Sequence, residues 1–281
     1  VHDKNNSDAY HLLSLIYLVE GKLDEAKNNI ISAIDLQPEI SVYHSNYGNI
    51  LYQSNNLEFA IQEHKRAIKL DKKNFQSFYS LGVVYSHLKN YEKAIEYYKK
   101  ALSLDGESSV AHNNLANIYK DMDEVDLAIS SYQQVLQLNP VDADAFNNLG
   151  TCFDKKGEFK KAFESYQQAI IYNPFCSEAY NNVGAYFDKL GDFDKAIEKY
   201  RKAVEINPDY VEAINNMGLA SQRNDEFDNA IKFYKHALQL NPNYSDAYVN
   251  LGDYWTEQNK FDFARENYEQ ALTLDPNNYN V

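Results

Sequence analysis

Asn114, Asn148, Asn182, Asn216 and Asn250 stand 34 residues apart, and Asn46 falls on the same count two steps earlier. Asn113, Asn147, Asn181 and Asn215 immediately precede four of them. A carboxamide carries both donors and an acceptor, so a row of them can bond the N–H and C=O groups of a peptide backbone without reading its side chains. A second series, Asp144, Glu178, Glu212 and Asp246, keeps the same step and supplies carboxylates. The competing reading is plain helix surface, since Asn makes up 32 of the 281 residues and charged helix faces are ordinarily solvated.

Other chemistry does not assemble. None of the seven histidines, His2, His11, His44, His64, His87, His112 and His236, stands at metal-ligand spacing from another His or Cys. Phosphate-loop, zinc-protease and nucleophile-elbow motifs are missing. The segment DMDEVD at 121–126 lacks the glycine and closing Glu of a calcium loop. Asn5-Asn6-Ser7 and Asn243-Tyr244-Ser245 match the glycosylation pattern, as expected by accident in so Asn-rich a chain. Cys152 reads as a small buried hydrophobe and Cys176 as a turn residue with no basic neighbour. No enzyme activity and no cofactor are implied.

The asparagines need a scaffold with the same period. Ala26, Ala60, Ala94, Ala128, Ala162, Ala196, Ala230 and Ala264 recur every 34 residues. Twelve residues before each is a small residue: Ser14, Gly48, Gly82, Ala116, Gly150, Gly184, Gly218 and Gly252. All six prolines, Pro38, Pro140, Pro174, Pro208, Pro242 and Pro276, share one register. Units therefore run 7–40, 41–74, 75–108, 109–142, 143–176, 177–210, 211–244 and 245–278. In the fifth, Phe146, Leu149, Gly150 and Phe153 are spaced for one helix, Gly157 breaks it, and Ala162, Tyr166, Ala169 and Ile170 form a second. Small residues such as Gly150 and Ala162 let the two axes approach. One helix pair cannot bury its apolar face, and stacked pairs can.

The pattern resembles the tetratricopeptide repeat over residues 7–278. That resemblance implies an all-α, right-handed superhelix (α-solenoid). Its concave side is lined by the second, fifth, sixth, ninth, twelfth and thirteenth positions of each unit. The candidate peptide-binding residues all fall on these positions: Asn46, Asn114, Asn148, Asn182, Asn216 and Asn250 at the sixth, Asn113, Asn147, Asn181 and Asn215 at the fifth, and the four acids at the second. Leu12 and Ser80 interrupt the sixth-position row. Packed helices lie ~8–10 Å apart and an extended chain advances ~3.3 Å per residue, so one rung meets about every third residue. In the last four units Asp154, Asp188, Asp253 and Glu257 join the second-position acids, against Lys155, Lys189 and Arg223, which favours a neutral or basic segment. Members that clamp acidic chaperone C-termini use Lys and Arg at the second, fifth and sixth positions. None occurs there, so that partner is excluded.

The asparagine row also resembles the repeat region of O-linked N-acetylglucosamine transferases, where such residues hold substrate backbones. This implies a substrate-recruiting arm whose catalytic domain lies outside the chain. A third reading is a structural scaffold, as a homodimer or by end-to-end stacking.

A net charge of -14 argues against nucleic acid and anionic membrane as partners. Two cysteines suit a reducing compartment, cytoplasm or nucleus. Residues 1–6 read as the tail of a preceding unit or a linker, and 279–281 as the start of another or a terminus. Three departures stand out. His64 and Ile30 replace the Tyr of later units, Lys72 and Gly106 replace proline, and Ser221 replaces a large apolar residue. Ser221 is expected to leave an under-packed spot or a small side pocket.

Overall fold

The computed structural model describes residues 6–276, all outside helices being turns or short connections. Residues 1–5 and 277–281 are outside that range, and with them most of the segments expected to belong to neighbouring units. Sixteen helices form among the described residues, and no strand does.

They fall into two compact units, 1–140 and 141–281. The first unit holds α1 (Ser7–Val19), α2 (Leu23–Leu36), α3 (Ser41–Gln53) and α4 (Leu57–Leu70). It continues with α5 (Phe75–His87), α6 (Tyr91–Leu104), α7 (Ser109–Asp121) and α8 (Val125–Leu138). The second holds α9 (Ala143–Lys155), α10 (Phe159–Tyr172), α11 (Ser177–Lys189) and α12 (Phe193–Ile206). It ends with α13 (Val211–Arg223), α14 (Phe227–Leu240), α15 (Ser245–Glu257) and α16 (Phe261–Leu274). Each 34-residue block is one antiparallel helix pair.

The turn inside every pair has one construction. Its fifteenth residue adopts a positive φ: Gly21, Asn55, Lys89, Asp123, Gly157, Gly191, Asp225 and Asn259. In the fifth block Gly157 N–H donates to the Asp154 carbonyl and Glu158 N–H to the Phe153 carbonyl, both at 2.9 Å. These bonds satisfy carbonyls that the helix end leaves open. DMDEVD spans such a turn, with Asp123 at its left-handed position. The next block starts on a side-chain cap in several places: Asn74, Ser108 and Asp142 accept from the amide three residues on.

The close approach within a pair has a specific cause. A Cβ placed on Gly184 would lie 2.6 Å from the Tyr200 ring, so the bare Cα is what admits the ring. At Gly150 the neighbours are the Tyr166 ring and the Ala162 backbone carbonyl. The small residue thus faces the second-helix aromatic as well as the second-helix alanine. His64 takes the aromatic place over Gly48. The alanines on either side of this ring are fully buried, for example Ala196 and Ala203 around Tyr200.

Within each unit a second helix packs against the first helix of the following pair, as α10 does on α11 and α12 on α13. The first helices of consecutive pairs also touch one another directly, α9 on α11, α11 on α13 and α13 on α15. The second helices are held apart instead. Between α10 and α12 lies an open cleft of about 580 Å³ whose walls include Phe163, Ile171 and Val183. The first-helix side of each unit is therefore its closed, inner side.

Candidate functional site

Neighbouring first helices meet with a constant offset, and this places the asparagines. In the second unit Asn182 Nδ2 donates to Asn147 Oδ1 at 3.0 Å, Asn216 to Asn181 at 3.1 Å and Asn250 to Asn215 at 2.9 Å. Each bond joins a sixth-position amide to the fifth-position carbonyl 35 residues earlier. Asn182, Asn216 and Asn250 are half-buried. Their Oδ1 atoms accept no hydrogen bond among the described residues. A sixth-position carboxamide has one Nδ2 hydrogen in the seam, and keeps its oxygen and a second hydrogen for another partner.

The fifth position does something else. Asn181 and Asn215 are 2% and 4% exposed. Asn181 also donates to Glu212 Oε1 at 3.2 Å. These two side chains are seam acceptors, buried by the following helix, and do not offer free amides to a ligand as the sequence reading expected. Asn147 and Asn113 remain half-buried.

In the first unit the same geometry appears with other chemistry. Asn46 Nδ2 lies 2.6 Å from His11 Nε2, and Asn114 Nδ2 donates to the Tyr79 hydroxyl at 2.9 Å. His11 accepts as a neutral ring, and burial holds its pKa below the ordinary value. Ser80, at the sixth position, turns instead to Asn49 Oδ1 at 3.0 Å. Leu12 is 59% exposed and makes no rung. Asn148 is half-buried and also engaged by a partner.

A second set of rungs runs parallel to the first. Lys189 Nζ reaches both Asp154 oxygens, at 2.7 and 2.9 Å, and Arg223 Nη1 pairs with Asp188. Gln222 Nε2 donates to Glu257 Oε2 at 3.0 Å while its oxygen accepts from the Tyr234 hydroxyl at 2.9 Å. All three join a twelfth position to the thirteenth of the next block. Burial raises the Asp188 carboxyl, and the Arg223 guanidinium opposes this. The sequence signal was present, because Asp154/Lys189 and Asp188/Arg223 are opposite charges 35 apart.

The electrostatic consequence is direct. Lys189 and Arg223 are neutralised by groove acids. Asp144, Glu178, Glu212 and Asp246 are all exposed. Glu178 accepts from Ser177 Oγ at 3.1 Å, and Asp253 from the Tyr268 hydroxyl at 2.7 Å. The phenols of Tyr210 and Tyr244, at the start of α13 and α15, are pushed well up by burial and then by Glu212 and Asp246. Cys176 is buried at the start of α11, and burial raises its thiol. An open cavity of about 470 Å³ sits beside Asn250, Asp246, Asp253 and Leu219. In the first unit a cavity of about 360 Å³ is bordered by Tyr52, Val83, His87, Asn114 and Asn117.

Ser221 is fully buried and its hydroxyl has no hydrogen-bond partner. The adjoining cavity of about 380 Å³ is lined by Leu219, Gln222 and Thr256, not by Ser221. His112 is half-buried, its Nε2 3.1 Å from the Gly106 carbonyl. Among the described residues no group of three or more His, Cys, Asp or Glu side chains is placed to hold a metal, and no helix is long and apolar enough to cross a membrane.

Tetratricopeptide repeat profiles match residues 7–40, 75–108, 109–142, 143–176 and 210–277, and TPR repeat profiles match 48–89 and 185–225. The chain belongs to the tetratricopeptide repeat family. No curated protein matches it in sequence. Among solved structures it is similar to the MamA protein, at 28% identity and a TM-score of 0.54, over 61% of this chain and 94% of that one. It is also similar to YrrB, described as a TPR protein with an unusual peptide-binding site, at 26% identity and TM-score 0.58, over 66% and 95%. Cut9 with Hcn1, from an APC/C hetero-tetramer, shares the fold at 17% identity and TM-score 0.68, over 100% and 55%.

Proposed function

We propose that the chain is a protein-interaction module that holds an extended peptide segment along its first-helix face. The observation that carries this is the common orientation of Asn182, Asn216 and Asn250. Each has its Nδ2 anchored in the seam and its Oδ1 with no hydrogen-bond partner among the described residues. Anchoring removes rotamer freedom before any ligand arrives, which lowers the entropy lost on binding. An unpaired carbonyl oxygen suits a backbone N–H, and one rung per repeat suits about every third residue of an extended chain. The exposed acids, with Lys189 and Arg223 already paired, favour neutral or basic segments. The similarity to YrrB supports a peptide ligand.

The test uses an array of peptides of about nine residues, spanning three rungs at about three residues each. Binders are then remade with N-methyl groups on successive backbone amides. Loss of binding at positions about three apart, with tolerance of side-chain changes, is the expected result. Binding that survives N-methylation everywhere but is lost on single side-chain changes overturns the backbone-holding mode.

A further inference from the structure

Building on the peptide-holding role proposed for the first-helix face, we infer that the first-unit cavity beside Tyr52, His87 and Asn117 receives an aromatic side chain of the bound segment. In the second unit the twelfth-position side chains Asp154, Asp188 and Gln222 cross to the thirteenth position of the next block. Each of those rungs has at least one long partner, Lys189, Arg223 or the Gln222–Glu257 pair. The first unit departs from this twice. Tyr52 and His87 hold the same two positions, 35 residues apart, and meet as rings, with centroids 5.8 Å apart at 84°. At the next joint the pair is Ser86 and Asp121, both short, and their side chains do not span the gap. The groove wall stays open there as a cavity of about 360 Å³.

The lining of this cavity sets what it takes. No carboxylate, ammonium or guanidinium borders it. Tyr52 and His87 bring ring surface, Val83 is aliphatic, and Tyr98 is a ring 1% exposed, packed over Gly82. Asn117 Oδ1 accepts from the Tyr132 hydroxyl at 2.6 Å, and its Nδ2 donates to nothing among the described residues. The counterpart cavity in the second unit has Leu219, Gln222, Arg223 and Asp253 at the same repeat positions as Val83, Ser86, His87 and Asn117. One place in the repeat is thus charged in the second unit and aromatic in the first.

A charged side chain entering the first-unit cavity would give up water without meeting an opposite charge. An aliphatic one would fill space and leave the Asn117 amide unmatched. An aromatic one pairs edge to face or offset with Tyr52 or His87, and its ring or hydroxyl accepts from the Asn117 amide. Rings and a few fixed amides around an open hollow are the form of an anchor pocket. Asn114 joins the pocket to the groove. It is a sixth-position rung, tied to the Tyr79 hydroxyl at 2.9 Å, and it also borders the cavity. A backbone lying on that rung therefore presents a neighbouring side chain to the hollow.

The test uses the intact chain and two probes. N-acetyl amides of tyrosine, phenylalanine, leucine and lysine are titrated by NMR, with the His87 ring signals as reporter. The aromatic amides should act at about two- to tenfold lower concentration than the leucine amide, and the lysine amide should leave the signals in place. Peptides that bind the chain are then substituted one position at a time. One position should accept Phe, Tyr or Trp and lose about tenfold or more on alanine. Ser86→Gln supplies Asp121 with the long partner that Gln222 gives Glu257, and so closes the cavity. It should abolish the aromatic preference in both probes and keep the sensitivity to backbone N-methylation. Circular dichroism checks that it folds. If it melts early, His87→Ala, at an exposed site, removes one ring and should lower the preference in the peptide series. The inference is overturned by leucine or lysine amides acting as well as the aromatic ones, by an aromatic preference that survives both variants, or by binders that show the N-methylation pattern and no aromatic position. Each of these leaves the peptide-holding reading intact. Aromatic amides acting at His87 in a chain that binds no peptide would uphold the pocket and refute the backbone-holding mode instead.

Discussion

Replacing His64 with tyrosine should remove an acid-labile point from the first unit. The His64 ring is fully buried over Gly48, and neither ring nitrogen has a hydrogen-bond partner. Burial pushes its pKa down to about 4, from an ordinary 6.5. The folded chain therefore rejects a proton that the unfolded chain accepts. Above pH 6.5 both states hold a neutral ring and this contribution to stability is complete. Between pH 6.5 and 4 it is lost at about 1.4 kcal/mol per pH unit, approaching about 3 kcal/mol. His44 works in the opposite direction. Its bond to Glu63 raises its pKa, so its contribution is present below pH 6.5 and fades as the pH rises through the folded value. Carboxylates titrate near the lower end as well. The difference between wild type and variant cancels both. In His64→Tyr the ring has the place that Tyr98 occupies over Gly82, and its hydroxyl points toward Asn49 as that of Tyr132 points to Asn117. Urea denaturation of both proteins at pH 7.5 and 4.5 is the assay. The variant's advantage should grow by about 2–3 kcal/mol at the lower pH. Parallel loss of stability in the two proteins refutes the reasoning.

Lys89 holds a left-handed backbone position with φ 55° that its counterpart Gly157 takes freely, so Lys89→Gly should stabilise the chain by about 0.5–1 kcal/mol in urea denaturation. Gly184→Ala should destabilise by about 1–3 kcal/mol in the same assay, because the new Cβ meets the Tyr200 ring. Ser221→Ala removes a buried hydroxyl with no partner and should raise stability by about 1 kcal/mol, read as a higher urea midpoint. Asn216→Ala should lower stability by about 0.5–1.5 kcal/mol as well as weaken peptide binding, since the seam bond to Asn181 goes with it.

Helix positions, turns and packing alanines were all readable from spacing, because each depends on residues within one block or the next. Gly157 at the break and Asn173-Pro174 after α10 are local signals with local causes. The roles of the asparagines were only half readable. That position six faces inward follows from period; that its amide is tied to position five of the preceding block follows from how two helices are offset in space. The same offset explains why the fifth-position asparagines, alike in sequence, became buried acceptors at Asn181 and Asn215. It also explains why Lys189 and Arg223, spent on Asp154 and Asp188, are not available to the second-position acids. Ser221 was read as a gap; the structure buries it fully and leaves its hydroxyl unmatched, with a cavity lined by the adjacent Gln222.

Every rung depends on a step of 35 residues, one block plus one. A gene that gains or loses a whole block of 34 codons rejoins donor to acceptor across the scar, whereas any other insertion breaks the register on both sides at once. Reach along a ligand is therefore the property that recombination can change most freely, one block at a time, without reinventing the chemistry that grips it.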